Sequence, residues 1–374
     1  MILTLSDPRD DHALYVQEAL RAKGSDTEFW FTADLAQLQA VSIEVGEEAG
    51  TRLSAAGPGL HLGTEPPRVI WLRRPALPVI SEDLHPADRT WARNEYEEFH
   101  RWLVRGLPET AFWINPFDSS RRARSKLAQQ EVARQVGLRV PRTLYSNDPA
   151  EIRAFVRAHG GRVVYKAFTQ SGFWKVRDEA FAMLFTALLT EDKLPGDEVL
   201  RATPGIYQPC LPKAYELRVT VIGQHIFPAK VDSQAMKLGE LDWRRSFDDM
   251  HLRFEPIELA PELRRAILRL MEGMGLVFGC LDFIVTPQGE HVFLEVNEMG
   301  QFLFVEEYTE IPLLDAFTEM LLQGRPDFVW EPSRASVRLS DFEQRVGERK
   351  REVLGGHLMP PEYIVGVEEE EPSA

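Results

Sequence analysis

The chain has 374 residues, 44% of them apolar and 27% charged, with a net charge of −15. Such a chain is long enough for two or three domains and too apolar for a disordered or fibrous one. Its acidity excludes broad binding to a nucleic-acid backbone, which needs a basic face. Its two cysteines, Cys210 and Cys280, both lie in apolar runs, which argues against a disulfide framework or a cysteine zinc site.

No signal peptide is expected, because the short apolar run 2–5 is followed at once by Asp7, Arg9, Asp10 and Asp11. No window approaches the roughly 20 apolar residues of a membrane span. The best candidate, 276–285, is short and contains Asp282. A reducing, cytoplasmic setting is therefore expected, with no membrane and no nucleic-acid partner.

The first third reads as a small βα unit. A strand is predicted over 2–6, a helix over 13–23 closed by Gly24, and a second strand over 27–31. This doubly wound pattern lacks a GxGxxG turn. Residues 46–67 are rich in Gly and Pro and read as loops and a hairpin. A strand at 69–72 precedes Arg73-Arg74-Pro75, and a long helix is predicted over 88–104. A boundary falls near Asn115-Pro116. One helix is predicted over 119–136, with Ala128, Val132 and Val136 as its buried stripe and Gly137 as its cap. A strand at 140–145, a helix at 150–159 capped by Asn147-Asp148-Pro149 and a strand at 162–168 follow. Then come a helix at 179–189 and a strand at 205–208. From Lys213 the pattern is a hairpin, 216–222 with 226–231, a loop holding Asp242-Trp243-Arg244-Arg245, and a helix at 261–274. Strands at 279–285 and 292–297 and a helix at 315–322 complete it. Residues 331–374 are charged, weakly periodic and end in four glutamates, and read as an appended segment disordered at its end.

The hairpin 279–297 carries the most chemistry. Asp282 interrupts an apolar strand, and Glu295 and Asn297 lie two apart on one face of the next. Phe293 is expected on that face, with Val292, Leu294 and Val296 directed into a core. A turn centred between residues 288 and 289 puts Asp282 opposite Glu295. No Lys or Arg within this strand pair opposes them. Three oxygen-bearing side chains on one sheet face suit Mg²⁺ or Mn²⁺ completed by phosphate oxygens. A solvated sheet face is the plain alternative, but an unpaired charge among Cys280, Leu281, Phe283 and Ile284 is costly.

Two lysines are the next signal. Lys126 lies off the buried stripe of its helix, and Lys166 interrupts the strand Val163-Val164-Tyr165-Lys166. An ammonium is a compact charge suited to phosphate. The following Thr169-Gln170-Ser171-Gly172 is a small polar loop whose N–H groups could cover phosphates. Each lysine taken alone reads more readily as a surface cation.

The order Ser125-Lys126-Leu127, Val164-Tyr165-Lys166, Tyr207-Gln208-Pro209-Cys210-Leu211, Glu216-Leu217-Arg218, Asp282 and Leu294-Glu295-Val296-Asn297 resembles an ATP-grasp ligase. The resemblance spans about residues 1–330. VIWLRRP at 69–75, FWINP at 112–116, PRTLYSNDP at 141–149, VDSQ at 231–234, DWR at 242–244 and LEVNEMGQF at 294–302 narrow it. They are similar to the microviridin-type (graspetide) maturases of ribosomal peptides.

That resemblance implies an α/β ATP-grasp fold with a pre-ATP-grasp βα domain at 1–115. A central subdomain at 116–212, a C-terminal subdomain at 213–330 and the appended 331–374 follow. ATP would lie between the two subdomains. Lys126 and Lys166 would hold its phosphates. The strand 207–211 would read adenine through its backbone, by the Pro209 carbonyl and the Leu211 N–H, with Gln208 and Cys210 alongside. Lys213 and Glu216 would lie near the ribose. Arg218 and Arg244 would face the γ-phosphate and an acyl-phosphate, and Asp282, Glu295 and Asn297 would bind Mg²⁺. The implied partner is a ribosomal precursor peptide, leader plus core, and these maturases are often homodimers. The implied reaction joins Asp or Glu side chains to Ser or Thr hydroxyls or to Lys amines. An ATP-grasp ligase that adds an amino acid to a peptide or protein, and a non-catalytic nucleotide-binding module, are the competing readings. The chain departs from the family at Pro209, where members often carry Glu. It departs again at Glu298, where a proline is usual and where a solvated charge is the simplest expectation.

Overall fold

A computed structural model of the chain describes residues 1–47, 50–63, 65–168, 173–175, 181–183, 186–235, 241–246, 252–360 and 364–365. The N-terminal part builds a four-stranded parallel sheet in the order β2-β1-β6-β7, from β1 (Ile2–Ser6), β2 (Thr27–Phe31), β6 (Val69–Leu72) and β7 (Phe112–Ile114). Its strands are apolar on both faces, as a sheet covered on both sides requires. One face packs Leu3, Leu5, Ile70 and Leu72 against Leu103 and Val104 of α2 (Pro86–Arg105). The other packs Ile2, Phe29 and Trp71 against Leu14 and Leu20 of α1 (Asp11–Ala22). Residues 46–67, expected as loops with a hairpin, hold most of a three-stranded antiparallel sheet, β3 (Ala40–Gly46), β4 (Gly50–Gly57) and β5 (Leu60–Leu62).

The expected helix 119–136 is two helices, α3 (Phe117–Ala123) and α4 (Lys126–Gln135). Ser125 breaks it: its hydroxyl accepts from the Ala128 N–H at 3.3 Å and restarts the helix as an N-cap. The break shifts the buried stripe to Gln129, Val132 and Ala133. Next comes a four-stranded antiparallel sheet in the order β12-β9-β13-β8. It comprises β8 (Leu144–Ser146), β9 (Arg162–Lys166), β12 (Ala187–Thr190) and β13 (Gly205–Pro209), with α5 (Pro149–Ala158) packed on Val163 and Tyr207. The expected strand 140–145 is confined to β8. The expected helix 179–189 is not present: among its described residues, Phe181–Met183 (β11) pairs with Phe173–Lys175 (β10), and Ala187–Thr190 pairs with β9. The loop 169–172 and the glutamates at 368–371 lie outside the described residues. The short helix α6 (Asp197–Ala202) leads into β13.

The third unit is a five-stranded antiparallel sheet in the order β16-β15-β14-β17-β18. Its strands are β14 (Tyr215–Ile222), β15 (His225–Val231), β16 (Phe254–Pro256), β17 (Phe278–Val285) and β18 (His291–Asn297). One face buries Leu217, Val219, Leu281, Phe283 and Phe293 under α4 and α7 (Pro261–Met274). Helix α7 forms where the spacing predicts it. Pro261 starts it, Ile267, Leu270, Met271 and Met274 line one side, and Gly275 closes it at φ 70°. After β18 come α8 (Leu303–Thr309), which the periodicity does not announce, and α9 (Leu313–Gln323). Residues after 331 include α10 (Glu343–Gly356), which buries Val346 and Val353 near α1. The short β19 (Ile364–Val365) pairs with β10. Among the described residues no helix is long and apolar enough to cross a membrane.

Asn115 joins the first and third units. Its amide donates to the carbonyls of Phe278 (2.8 Å) and Glu298 (2.9 Å), and its oxygen accepts from the N–H groups of Val277 and Phe278 at 2.8 and 2.9 Å. An alanine there would leave buried backbone groups without partners. Asn115→Ala should therefore cost about 3 kcal/mol of unfolding free energy in urea titration; a loss within error of zero would contradict this bridging role.

Candidate active site

The site forms where the face of the five-stranded sheet turned away from α7 meets the antiparallel sheet carrying β9 and β13. Asp282 on β17 and Glu295 on β18 stand opposite each other. The route to that pairing differs from the one the sequence suggests. The turn closes on Val285↔His291, with the Thr286 N–H donating to the Glu290 carbonyl at 3.0 Å. Its centre is therefore residue 288. A bulge then moves the register from Phe283↔Phe293 to Asp282↔Glu295. The extra residue, Leu294, turns into the cleft beside Glu295, and Phe293 goes into the core with its ring 5.5 Å from that of Phe283. This reverses the expected placement of Phe293 and Leu294.

Both carboxylates are buried, and both meet cations that come from outside the hairpin. Arg218 on β14 lies opposite Asp282 in register. Its Nη1 donates to both carboxylate oxygens, at 3.1 and 2.9 Å, and its Nη2 donates to the Gln301 carbonyl at 2.7 Å. Asn297 donates its amide to Asp282 at 3.3 Å. Lys126, the first residue of α4, pairs with Glu295 at 2.7 Å. Gln129, one turn further along α4, fixes that approach. Its amide donates to the Val296 carbonyl at 2.9 Å and accepts from the Val296 N–H at 2.8 Å, clamping α4 onto β18. Gln129 was not a sequence candidate; its position on the buried stripe, once the helix break is placed, is the signal that marks it.

Arg244 faces Asp242 through Nε at 2.8 Å and Nη2 at 2.7 Å, and its Nη1 lies 4.0 Å from Glu295. The Asp242 partnership is the surface pair one would expect of an ordinary Arg, yet this pair lines the cleft. Asp242 also accepts from the Thr186 hydroxyl at 3.1 Å. Thr186 and Asp242 thus belong to the site; the spacing, which predicts a helix over 179–189, gives no sign of Thr186. Lys213 is held by Glu216 at 3.0 Å and by the Leu241 carbonyl at 2.8 Å. Glu298 is not the solvated charge expected: it pairs with Arg124 at 3.4 Å, and burial pushes its carboxyl up.

Electrostatics separate the two carboxylates. Burial and the neighbouring Glu295 push Asp282 up, against the pull of Arg218. Burial acts upward on Glu295 too, but Lys126, Arg244 and Lys166 together hold it at about 2. Lys166 is lowered to about 8 by burial and by the charge of Lys126. Depressed in this way, it costs stability below about pH 8, and that cost fades as pH rises toward its ordinary value.

The cleft holds about 80 Å³ of free space, with Val164, Ile284 and Leu294 as apolar walls, and Lys166 and Glu295 among its charged groups. The end of β13 supplies Gln208, Pro209, Cys210 and Leu211, and Lys213 and Glu216 close one side. Ten of the sequence candidates line it, while Lys126, Arg218 and Asn297 adjoin through Glu295 and Asp282. A larger cavity of about 380 Å³ near Phe29 and Phe31 lies elsewhere; Arg21, Asp26, Glu28 and Arg349 line it, and none of the sequence candidates does. Among the described residues no three His, Cys, Asp or Glu side chains cluster as a metal site. The available donors are two carboxylates and one amide, all oxygen, which suits a hard cation whose shell is completed by phosphate.

No family model matches the chain. Two probable alpha-L-glutamate ligases from Shewanella strains MR-4 and MR-7 are each 23% identical to it over 219 residues, 56% of this chain and 67% of the relative. The likeness to solved structures is longer. A ribosomal-peptide-associated ATP-grasp ligase of Chryseobacterium gregarium, solved with ADP and a leader and core peptide, aligns at TM-score 0.79 and 24% identity. It covers 90% of this chain and 99% of its own. The macrocyclase MdnC of Microcystis aeruginosa, bound to the precursor peptide MdnA, aligns at 0.75 and 26% identity over 86% and 99%. The macrocyclase MdnB of the same organism aligns at 0.71 and 25% over 86% and 99%. The chain has the ATP-grasp fold and is an ATP-dependent ligase.

The position of Lys166 yields a prediction. Carbon-13 methylated lysines followed by NMR should show one titrating near pH 8, absent in Lys166→Arg. Glu295→Gln removes a charge that holds the ammonium up, so the same resonance should titrate lower still. An upward move would contradict the geometry.

Proposed function

We propose that this chain activates Asp or Glu side-chain carboxylates of a ribosomal precursor peptide with ATP and joins them to hydroxyls or amines of the same peptide, closing ester or amide rings. The observation that carries this reading is the coverage of the likenesses. The peptide ligases of known structure match 86–90% of the chain, N-terminal unit included, whereas the glutamate ligases match 56%. Addition of an amino acid to a peptide end is the second reading, favoured by that shorter likeness.

In the proposed arrangement residues 116–212 and 213–330 hold the nucleotide between them, and residues 1–115 face the peptide. Val164, Ile284 and Leu294 would flank the adenine, while the Pro209 carbonyl and Leu211 N–H read its edge. A proline at 209 keeps its carbonyl, so the acceptor survives. Lys126 and Lys166 would hold the phosphates, and Lys213 with Glu216 the ribose. Asp282, Glu295 and Asn297 would hold Mg²⁺, which when bound neutralises oxygens of the transferred phosphoryl group. The observed ion pairs fit that exchange: Lys126 has one oxygen of Glu295, and Arg244 approaches the other.

The work of the protein is positioning. A carboxylate oxygen of the peptide attacks the γ-phosphorus, the bond to the β-phosphate oxygen breaks, and ADP leaves. A hydroxyl or amine of the peptide then attacks the acyl carbon, the bond from that carbon to the bridging oxygen breaks, and phosphate leaves with that oxygen, taking up the proton of the nucleophile. Neither step needs an enzyme nucleophile. The Arg244 fork, oriented by Asp242, would meet oxygens that gain charge in transfer. Arg218 would keep Asp282 ionised and in place.

The test is to incubate the protein with ATP, Mg²⁺ and the precursor peptide encoded beside it, and to weigh the peptide. The expected result is loss of one water per ring, reversed by base where the links are esters. Arg244→Ala should still bind ATP but form about a hundredfold fewer rings per unit time, the scale of one lost charged donor in transfer. A peptide that gains the mass of an added amino acid would replace this reading with the second one.

A further inference from the structure

The N-terminal parallel sheet contains a reversal of strand order. Its strand order, β2-β1-β6-β7, reverses between β1 and β6, and in open parallel sheets ligands bind outside the carboxyl ends of the strands at such a reversal. Those ends here are Ser6 and Leu72. Arg73 follows Leu72 and is buried. Its N–H donates to the Leu5 carbonyl at 2.8 Å, its Nε pairs with Asp10 at 3.0 Å, and its Nη1 donates to the carbonyls of Met299 and Gly300, the latter at 3.0 Å. This end of the sheet is thereby pinned to the segment that directly follows Glu295 and Asn297. Arg218 pins the same segment from the other side, through the Gln301 carbonyl.

Arg74 comes next and differs in every respect. It is exposed, and no carboxylate or carbonyl among the described residues pairs with it. Its backbone sits at φ 49°, the left-handed region that disfavours any residue with a Cβ, and it precedes Pro75, which restricts it further. A glycine would relieve that strain. The field of Arg74 reaches Glu298, the residue after Asn297, and His12. A strained, exposed, unpaired guanidinium at a sheet reversal, next to the end of the strand that bears Glu295, has the form of a ligand contact.

We infer that Arg74 receives the free side-chain carboxylate of the substrate, an Asp or Glu of an acidic peptide, before that carboxylate is activated. The inference rests on the peptide-ligase reading and names where its acid docks. A planar guanidinium matches a carboxylate with two parallel donors. The cations proposed for the phosphates and the transferred oxygens, Lys126, Lys166 and Arg244, lie at Glu295 or in the cleft. Arg218 is held by Asp282 and Arg124 by Glu298, so Arg74 is the neighbouring exposed cation with no carboxylate partner among the described residues.

The test compares wild type, Arg74→Gly and Arg74→Lys. With Mg²⁺ and ADP present, N-acetyl-glutamate α-amide and N-acetyl-glutamine α-amide are titrated by NMR at millimolar concentration. Wild type should bind the acid and not the amide. Arg74→Gly should weaken the acid about tenfold or more, as loss of a charged pair requires, and leave ADP affinity unchanged. Arg74→Lys should fall between. With the precursor peptide, Arg74→Gly should raise the peptide KM by a similar factor and leave the ATP KM unchanged. Equal acid binding by wild type and Arg74→Gly, no acid binding by wild type, or amide binding as tight as acid would each overturn the assignment. Rings formed by Arg74→Gly with an unchanged peptide KM would overturn it too. If no rings form with wild type but acid binding still depends on Arg74, the subsite stands and the peptide-ligase reading falls.

Discussion

Two carboxylates share one buried face of the β17–β18 hairpin, and the rest of the structure answers to that fact. Each ion taken out of water costs several kcal/mol unless it is paired and hydrogen-bonded. Asp282 is satisfied by Arg218 from β14 and by the Asn297 amide. Glu295 is satisfied by Lys126 from α4, with Arg244 beyond it. The site therefore exists only when α4, β14 and the 241–246 loop have all docked. Gln129 and Asn115 secure the first of these and the neighbouring strand end through paired bonds to the main chain of β17, β18 and the residue after it. In the proposed function these charges are the ones a metal–nucleotide complex would exchange for its own contacts, the carboxylates passing to the cation and the lysines and arginine to the phosphates.

The segment beyond residue 331 shows a second use of buried carboxylates. Asp315 accepts from the Ser336 N–H at 2.9 Å and the Trp330 indole at 2.8 Å, and it pairs with Lys23 at 2.8 Å. Glu306 accepts from the N–H groups of Leu314 (2.7 Å) and Leu339 (2.9 Å). Residues 336–339 are thereby held by carboxylate-to-backbone bonds together with Val337 and Leu339 at the core.

Elements whose cause is local were legible. Helix α7 has its Pro, its stripe and its Gly; β14–β15 turns at Gly223; and Asp282 pairs with Glu295. The cleft-lining candidates from Lys166 to Glu295 were legible through the order of motifs. What was hidden has non-local or offsetting causes. The bulge at Leu294 compensates a turn centred half a residue earlier, so the correct carboxylate pair emerges while Phe293 and Leu294 change sides. The break at Ser125 is set by one hydroxyl on one N–H, against a helical pattern that continues past it. The strands within 179–189 form because β9 and β10 supply partners distant in sequence. The cation opposite Asp282 sits 64 residues away, on a strand whose place in the sheet no local pattern gives. Thr186 and Asp242 meet for the same reason, across 56 residues.

Binding of ADP measured by calorimetry with and without Mg²⁺, on wild type and on Glu295→Gln, tests the central claim most directly. If the Asp282–Glu295 face exchanges its lysine and arginine partners for a metal–nucleotide complex, Mg²⁺ should tighten ADP binding to wild type by about tenfold or more. The variant should lose most of that gain while binding metal-free ADP at least as well, because one negative charge near the phosphates is gone. An equal Mg²⁺-dependent gain in both proteins would contradict the account.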